Sequence, residues 1–119
     1  MNRAILAAAL ALSVLPANAA NSKPIIAIQS GSDLNRLCEA DRKSANYAMC
    51  YSFNAAVLEI VENNSIYGLK VCVPPLVNVN KAVDLPARWL RNHPDHSIQP
   101  ASQIAAEAYA AAFPCKIHD

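Results

Sequence analysis

The fold is decided by residues 44–63, which read SANYAMCYSFNAAVLEIVEN. Side chains that recur at spacings of three and four fall on one face of a helix in this stretch, and polar side chains fall on the opposite face. The first set is Tyr47, Cys50, Tyr51, Asn54, Val57, Leu58 and Val61, and the second is Ser52, Glu59 and Glu62. Because serine is a preferred helix N-cap, Ser44 is the predicted start of an amphipathic helix that runs to about Asn63.

A shorter helix is expected just before this one. Ser32 is its predicted N-cap, and the helix runs from Asp33 to Cys38 and ends near Ala40. The polar residues 41–43 form a tight turn, so the two helices make an antiparallel hairpin. Upstream, residues 21–31 are predicted to be an extended arm or a short edge strand, with a mobile N-terminal tail as the alternative.

The C-terminal half begins with an irregular segment and ends with a helix. Asparagine and glycine within residues 63–68 end the long helix. Residues 69–73 favour a short extended segment. A last helix begins at Pro100, where proline suits the first turn, and stops at Phe113.

A further helix, interrupted by proline, lies between the extended segment 69–73 and the last helix. It is capped by Asn78 or Asp84 and ends before Pro94. Because proline inside a helix removes a backbone hydrogen bond, Pro86 predicts either a kink or a helix that begins only at Asp84. The apolar faces expected for this helix and the last one are Val79, Val83, Pro86 and Leu90, and Ile104, Ala108 and Ala111, respectively. The sequence therefore predicts an all-α, four-helix bundle-like domain with a short extended segment.

The N-terminus has the three parts of a secretory signal peptide. Arg3 is followed by apolar residues 4–15 and by the small-residue exit Ala17-Asn18-Ala19. A transmembrane anchor is the alternative, but this apolar stretch is well short of the roughly 20 residues that cross a bilayer. We expect residues 1–19 to be removed and residues 20–119 to form a single exported domain without membrane insertion.

Charge excludes one class of partner. Removal of Arg3 leaves nine basic and nine acidic side chains. A neutral chain lacks the electrostatic footprint of a nucleic-acid-binding protein.

Four cysteines in a short exported chain predict two disulfides. Three pairings are possible in principle. In the helical hairpin, Cys38 lies about one turn before the bend and Cys50 less than two turns after it, so their heights match. We therefore favour Cys38 with Cys50 and Cys72 with Cys115, the second bond clamping the end of the last helix.

The cysteines and histidines could also be interpreted as a zinc site or as a catalytic cysteine site, but the sequence favours neither. His93, His96 and His118 accompany the cysteines, but zinc sites bring their ligands in close pairs, and no two cysteines here are closer than Cys38 and Cys50. A catalytic cysteine must be a thiolate, and all four are expected to be oxidised. We expect no metal, no cofactor and no enzymatic activity.

The pattern resembles the Rap/Tai family of type VI secretion amidase immunity proteins from about Ser32 to Cys115. The segments that carry the resemblance are Cys50-x-Ser52-Phe53-x-x-Ala56-Val57-x-Glu59, Cys72-x-Pro74, Trp89-Leu90-x-x-His93-Pro94, Ala101-x-x-Ile104-x-x-x-Ala108 and Phe113-Pro114-Cys115. Ser52 and Ala56 stand where the family usually has glycine, and Pro86 interrupts a helix that is ordinarily continuous.

The resemblance implies a periplasmic, helical and often dimeric protein. Such proteins neutralise peptidoglycan-cleaving amidase toxins from neighbouring bacteria and do no chemistry themselves. The partner is then a secreted amidase effector or another protein, with a homodimer as a further possibility. The main alternative is a small periplasmic acid-stress chaperone, and an envelope assembly factor is a third interpretation.

Exposed loops on a stapled scaffold are the expected contact sites. We predict partner binding by His93, Asp95 and His96 in the segment 93–97 and by Asn64 and Tyr67 in the turn 63–68. Two histidines close together can also tune a surface with pH, or simply be solvated. Asn54 on the buried face is expected either to bond a neighbouring backbone group or to make a dimer contact.

Overall fold

The computed structural model describes residues 28–116, so the predicted signal peptide and most of the predicted N-terminal arm lie outside the described residues. The described elements, in chain order, are α1 (Gly31–Cys38), α2 (Ala45–Asn63), α3 (Val79–Ala82), α4 (Leu85–Asn92), a 3₁₀ turn (Pro94–His96) and α5 (Ala101–Ala112). Extended pairing within residues 28–116 is limited to two isolated bridges. The predicted all-α fold is confirmed, with the third predicted helix divided into α3 and α4.

Helix α1 is capped by Ser30, so the prediction of Ser32 as its cap is wrong. The Asp33 backbone N–H donates to Ser30 Oγ at 3.3 Å, and the Ser30 backbone N–H donates to the Asp33 carboxylate at 3.1 Å. This reciprocal pair requires an acidic side chain three residues after the cap, which Ser30 has and Ser32 lacks. The backbone N–H groups of Ser30 and Gln29 lower the pKa of Asp33 from its ordinary value. Ser32 instead donates its hydroxyl to the Ser97 carbonyl.

Helix α2 has the predicted bounds and cap. Ser44 Oγ accepts from the Tyr47 backbone N–H at 3.2 Å. The predicted apolar face is buried, apart from the half-buried Tyr51, whereas Ser52, Glu59 and Glu62 are exposed. The hairpin brings Cys38 to Cys50 with a Cα–Cα distance of 5.2 Å, and the two form a disulfide. This pairing was predicted correctly.

The break between α3 and α4 lies at Val83 and Asp84, and Pro86 occupies the first turn of α4. The prediction that the helix begins at Asp84 is confirmed. Polar side chains of the α1–α2 hairpin form hydrogen bonds to the two residues at this break and stabilise it. Asn54 Nδ2 donates to the Val83 carbonyl at 2.9 Å. The Asp84 carboxylate accepts from Arg42 and from the Tyr47 hydroxyl, each at 3.0 Å.

Asn54 therefore makes the backbone contact that was one of its two expected roles. The break also changes the expected apolar face, because Val83 and Leu90 are buried while Val79 is 41% exposed. Val79 follows a different helix axis from that of Leu90, so a single helical face does not connect them.

Helix α5 packs against α4 and α2, and its alanines allow close approach. Its buried residues are Ala101, Ile104, Ala105, Ala106, Ala108 and Tyr109. Ala111 was expected on this face but is exposed, since the buried side of α5 turns toward Tyr109. The Tyr109 hydroxyl donates to the Asn54 carbonyl at 2.8 Å, and burial raises the pKa of Tyr109.

The two ends of the described chain are tied down. Cys72 and Cys115 form the second predicted disulfide, with a Cα–Cα distance of 4.9 Å. At the other end, the Gly31 N–H donates to the Gln99 carbonyl at 3.0 Å, and the Ala101 N–H donates to the Gln29 carbonyl at 2.9 Å. These bonds hold the start of α5 beside the start of α1. No helix within residues 28–116 has the length and apolarity needed to cross a membrane.

Candidate functional site

Residues 93–97, here called the connector, are the first part of the segment between α4 and α5 and contain the 3₁₀ turn. The His93 ring stacks on the Trp89 indole with a centroid distance of 4.0 Å, and His93 Nδ1 lies 2.8 Å from the Trp89 carbonyl oxygen. The His96 ring meets the edges of both, at 5.1 Å from Trp89 and 5.7 Å from His93. Three rings thus fix the path of the connector over the end of α4.

His96 also ties the connector to α5. Its Nδ1 lies 3.1 Å from Gln99 Oε1 and 3.6 Å from Glu107 Oε2, and its Nε2 lies 3.6 Å from Asp95 Oδ2. Glu107 Oε1 accepts from Gln103, whereas Glu107 Oε2 is buried and receives no hydrogen bond from residues 28–116. Each ring nitrogen of His96 therefore faces a carboxylate oxygen, one from Asp95 and one from Glu107.

The connector residues divide into two roles. His93 and His96 are half-buried and hold the connector in place. Asp95 has a side chain that is 81% exposed. A rigid connector that presents an exposed carboxylate suits contact with another protein, because little ordering remains to be done on binding.

The turn 63–68 lies apart from the connector. Asn64 is the C-cap of α2, and Tyr67 and Gly68 both have left-handed backbones, with φ of 52° and 71°. Tyr67 is 53% exposed, and its hydroxyl forms a hydrogen bond with Ser102 on α5. Within residues 28–116, no hydrogen bond or ion pair joins the turn to the connector, so the predicted contact residues form two separate groups that both border α5.

A cleft at the base of the connector was not predicted. It has a volume of about 530 Å³ and lies between α1 and the end of α4. Its lining residues, which define the α1–α4 cleft, are Ser32, Asn35, Arg36, Glu39, Ala40, Leu90, Arg91, Pro94 and Ser97. The walls come from segments at least 50 residues apart in the chain, and no pattern in the sequence pairs them. The sequence signal for this cleft was the presence of an arginine in each of the two predicted helices, Arg36 and Arg91.

The described residues offer little to metal or nucleophilic chemistry. All four cysteines are in disulfides, so none provides a thiolate. Within residues 28–116, no three histidine, cysteine or acidic side chains lie close enough together to hold a metal ion. The connector histidines instead contact each other, Trp89 and neighbouring polar groups.

A comparison with protein families gives a match to this arrangement. The model of the Rap1a immunity proteins covers residues 30–115, from the N-cap of α1 to the last disulfide cysteine. The chain belongs to the Rap1a immunity protein family. No curated protein and no solved structure gives a significant match.

Membership in the Rap1a family indicates a toxin-immunity protein that works by binding a toxin and has a non-enzymatic inhibitory role. It does not favour the acid-stress chaperone interpretation. The two disulfides and the family together fit a secreted or periplasmic protein. Ser52 and Ala56, which depart from the usual glycines, are both exposed on α2.

Proposed function

We propose that this Rap1a-family protein is a periplasmic immunity protein that binds a peptidoglycan amidase toxin of type VI secretion and blocks access of peptidoglycan to its active site. The observation that carries the proposal is the family match across all of the described helices. The signal peptide predicted at residues 1–19 supports export, and two disulfides are typical of an oxidising compartment. The amidase specificity rests on the resemblance of the sequence motifs to the Rap/Tai family.

The connector is the proposed centre of the toxin contact. Its histidines are held by Trp89 and by α5, so it enters the complex already ordered. Asp95 projects from it and offers a carboxylate to a donor on the toxin. Charge pairs that lose water at an interface contribute strongly to specificity.

The turn 63–68 is proposed as a second, smaller contact. Tyr67 combines an exposed ring with a hydroxyl anchored on Ser102, and exposed tyrosines are frequent interface anchors. Asn64 beside it is exposed and offers its amide. The family resemblance also implies a homodimer, which we include in the proposed function. Sedimentation equilibrium of the mature protein tests whether it forms a dimer.

An inhibition assay tests the proposed function directly. The mature protein is mixed in turn with candidate peptidoglycan amidases of type VI secretion, and hydrolysis of purified peptidoglycan is followed. We expect hydrolysis to fall to background at equimolar protein. Neither a complex nor any loss of hydrolysis would contradict the proposal.

The connector contact is tested with a charge reversal. Asp95→Lys should weaken toxin binding by about tenfold or more, because it replaces the exposed carboxylate by a repelling cation. Glu59→Lys, the same change at an exposed site on α2 outside the turn 63–68, is the matched control and should bind like the wild type. Equal affinities for all three proteins would remove the connector from the interface.

A further inference from the structure

We infer that the α1–α4 cleft receives an acidic peptide segment of the toxin, clamped by Arg36 and Arg91. The inference rests on the proposed function and specifies the chemistry of the partner that this surface recognises. The cleft is continuous with the connector, because Pro94 and Ser97 line the cleft and belong to the connector. A toxin loop that contacts the connector thus passes directly over the cleft.

The charges that line the cleft favour an anion. Arg36 on α1 and Arg91 on α4 stand on its opposite walls, and both are exposed. Arg36 makes one long ion pair, at 3.9 Å to Asp33, and Arg91 makes none with residues 28–116. Glu39 is the one acidic lining residue, so the lining carries a net positive charge. Guanidinium groups bind carboxylates through paired hydrogen bonds, which sets them apart from lysine as clamps.

The floor of the cleft favours a peptide over a free carboxylate. Leu90, which is 4% exposed, Ala40 and Pro94 provide apolar surface. Asn35 Oδ1 is buried and accepts no hydrogen bond from residues 28–116. Because this atom has almost no exposed surface, the Asn35 side chain must turn outward before the oxygen accepts from the backbone N–H of an extended segment. An acidic side chain on the same segment then reaches the arginines.

The walls of the cleft are fixed before any partner binds. The Ser32 N–H donates to the Ser97 carbonyl at 2.9 Å, and the Ser32 hydroxyl donates to the same oxygen at 3.3 Å. These bonds join α1 to the connector at one end of the cleft. The Cys38–Cys50 disulfide anchors the far end of α1 to α2. A fixed cleft selects a segment by charge and shape, because its own ordering costs little on binding.

Charge reversal at both walls tests the inference. Calorimetric titration with the toxin should show an affinity about tenfold or more lower for Arg36→Glu/Arg91→Glu than for the wild type, with a shallower dependence on salt. Arg88→Glu is the matched control, since Arg88 is an exposed arginine of α4 outside the cleft. A double variant that binds the toxin like the wild type overturns the inference.

A second measurement does not depend on the toxin. ¹⁵N-labelled protein is titrated with the peptide acetyl-Ala-Ala-Asp-Ala-Ala-amide and with its Asn counterpart. We expect the Asp peptide to shift the side-chain resonances of Asn35, Arg36 and Arg91, and the Asn peptide to leave the arginine signals in place. If the Asp peptide shifts them but no amidase binds, the proposed function fails and the acidic specificity of the cleft stands. If the amidase binds but neither the variants nor the peptide has an effect, the cleft inference alone fails.

Discussion

Gly31, the first residue of α1, has no room for a side chain. An ideal Cβ there would collide with the Ile104 terminal methyl group and lie 3.1 Å from the Ser97 Cα and carbonyl oxygen. Gly31→Ala should therefore lower the free energy of unfolding by about 1–3 kcal/mol. Ile104→Val removes the methyl group that the new Cβ meets. In urea denaturation the double variant should lose less than the sum of the two single losses, and strict additivity would contradict this steric account.

Asp33 makes the stability of the fold depend on pH. Its carboxylate accepts two backbone N–H groups, so its pKa is lower in the folded chain than in the unfolded chain. A lowered pKa stabilises the fold above the unfolded value and loses that contribution as the pH falls through the folded value. Wild-type protein should be more stable than Asp33→Asn at pH 7, and the difference should disappear in strong acid. Urea midpoints between pH 7 and pH 2 measure it, and a constant difference would refute the capping role.

Asn54 is fully buried, and its amide satisfies the carbonyl at the α3–α4 break. Asn54→Leu keeps the size of the side chain but leaves the Val83 carbonyl without its donor, at a cost of about 1–3 kcal/mol. Asn63→Leu, at the exposed end of α2, should change stability far less. Thermal unfolding of both variants provides the comparison, and equal losses would show that the buried contact is not specific.

Among single residues, those with local chemistry were predictable and those defined by distant partners were not. Ser44 and the cysteines follow from local spacing. The choice of Ser30 over Ser32 depends on the reciprocal bond to Asp33, and the spacing that allows this bond is present in the sequence. Arg36 and Arg91 became a pair only when the fold brought α1 to α4.

Among the elements, α5 is followed by a covalent clamp that ties the chain just after it to residue 72. The Cys72–Cys115 bond spans 43 positions and stabilises the fold by about 4 kcal/mol through loop-closure entropy. In Cys72→Ala/Cys115→Ala, the amides of residues 72 and 113 should exchange much faster, since the N–H of residue 72 donates to the Phe113 carbonyl. Amides in the α1–α2 hairpin should change less, because the Cys38–Cys50 disulfide still joins its two helices. Uniformly faster exchange throughout α2 would contradict a local clamp.

The helices, like the single residues, were predictable where their signals are local and not where they depend on tertiary contacts. Helix α2 has a long apolar periodicity and a serine cap, so its bounds were predicted correctly. Pro86 predicted a break in the helix. The break is stabilised because Asn54 binds Val83. Tyr47 and Arg42 bind Asp84 beside it. Those contacts are tertiary, and the predicted face that included Val79 was wrong because they divide the helix into α3 and α4. The predicted face that included Ala111 was wrong because the buried side of α5 turns toward Tyr109.

The whole molecule presents its proposed recognition surface over a small core. Leu34, Leu90, Ala101 and Ile104 form a buried cluster, and Trp89 packs against it. The connector stacks on Trp89, and the α1–α4 cleft has Leu90 in its floor. Both parts of the surface are therefore supported by the same few residues. This is the physical basis for a rigid surface in a chain of 119 residues.

Hydrogen–deuterium exchange of the oxidised mature protein, alone and with its amidase, tests this account most directly. We expect slower exchange in residues 89–97 and 32–40 within the complex, and a smaller slowing in the turn 63–68. Protection confined to the outer face of α2, or no protection at any site, would contradict it.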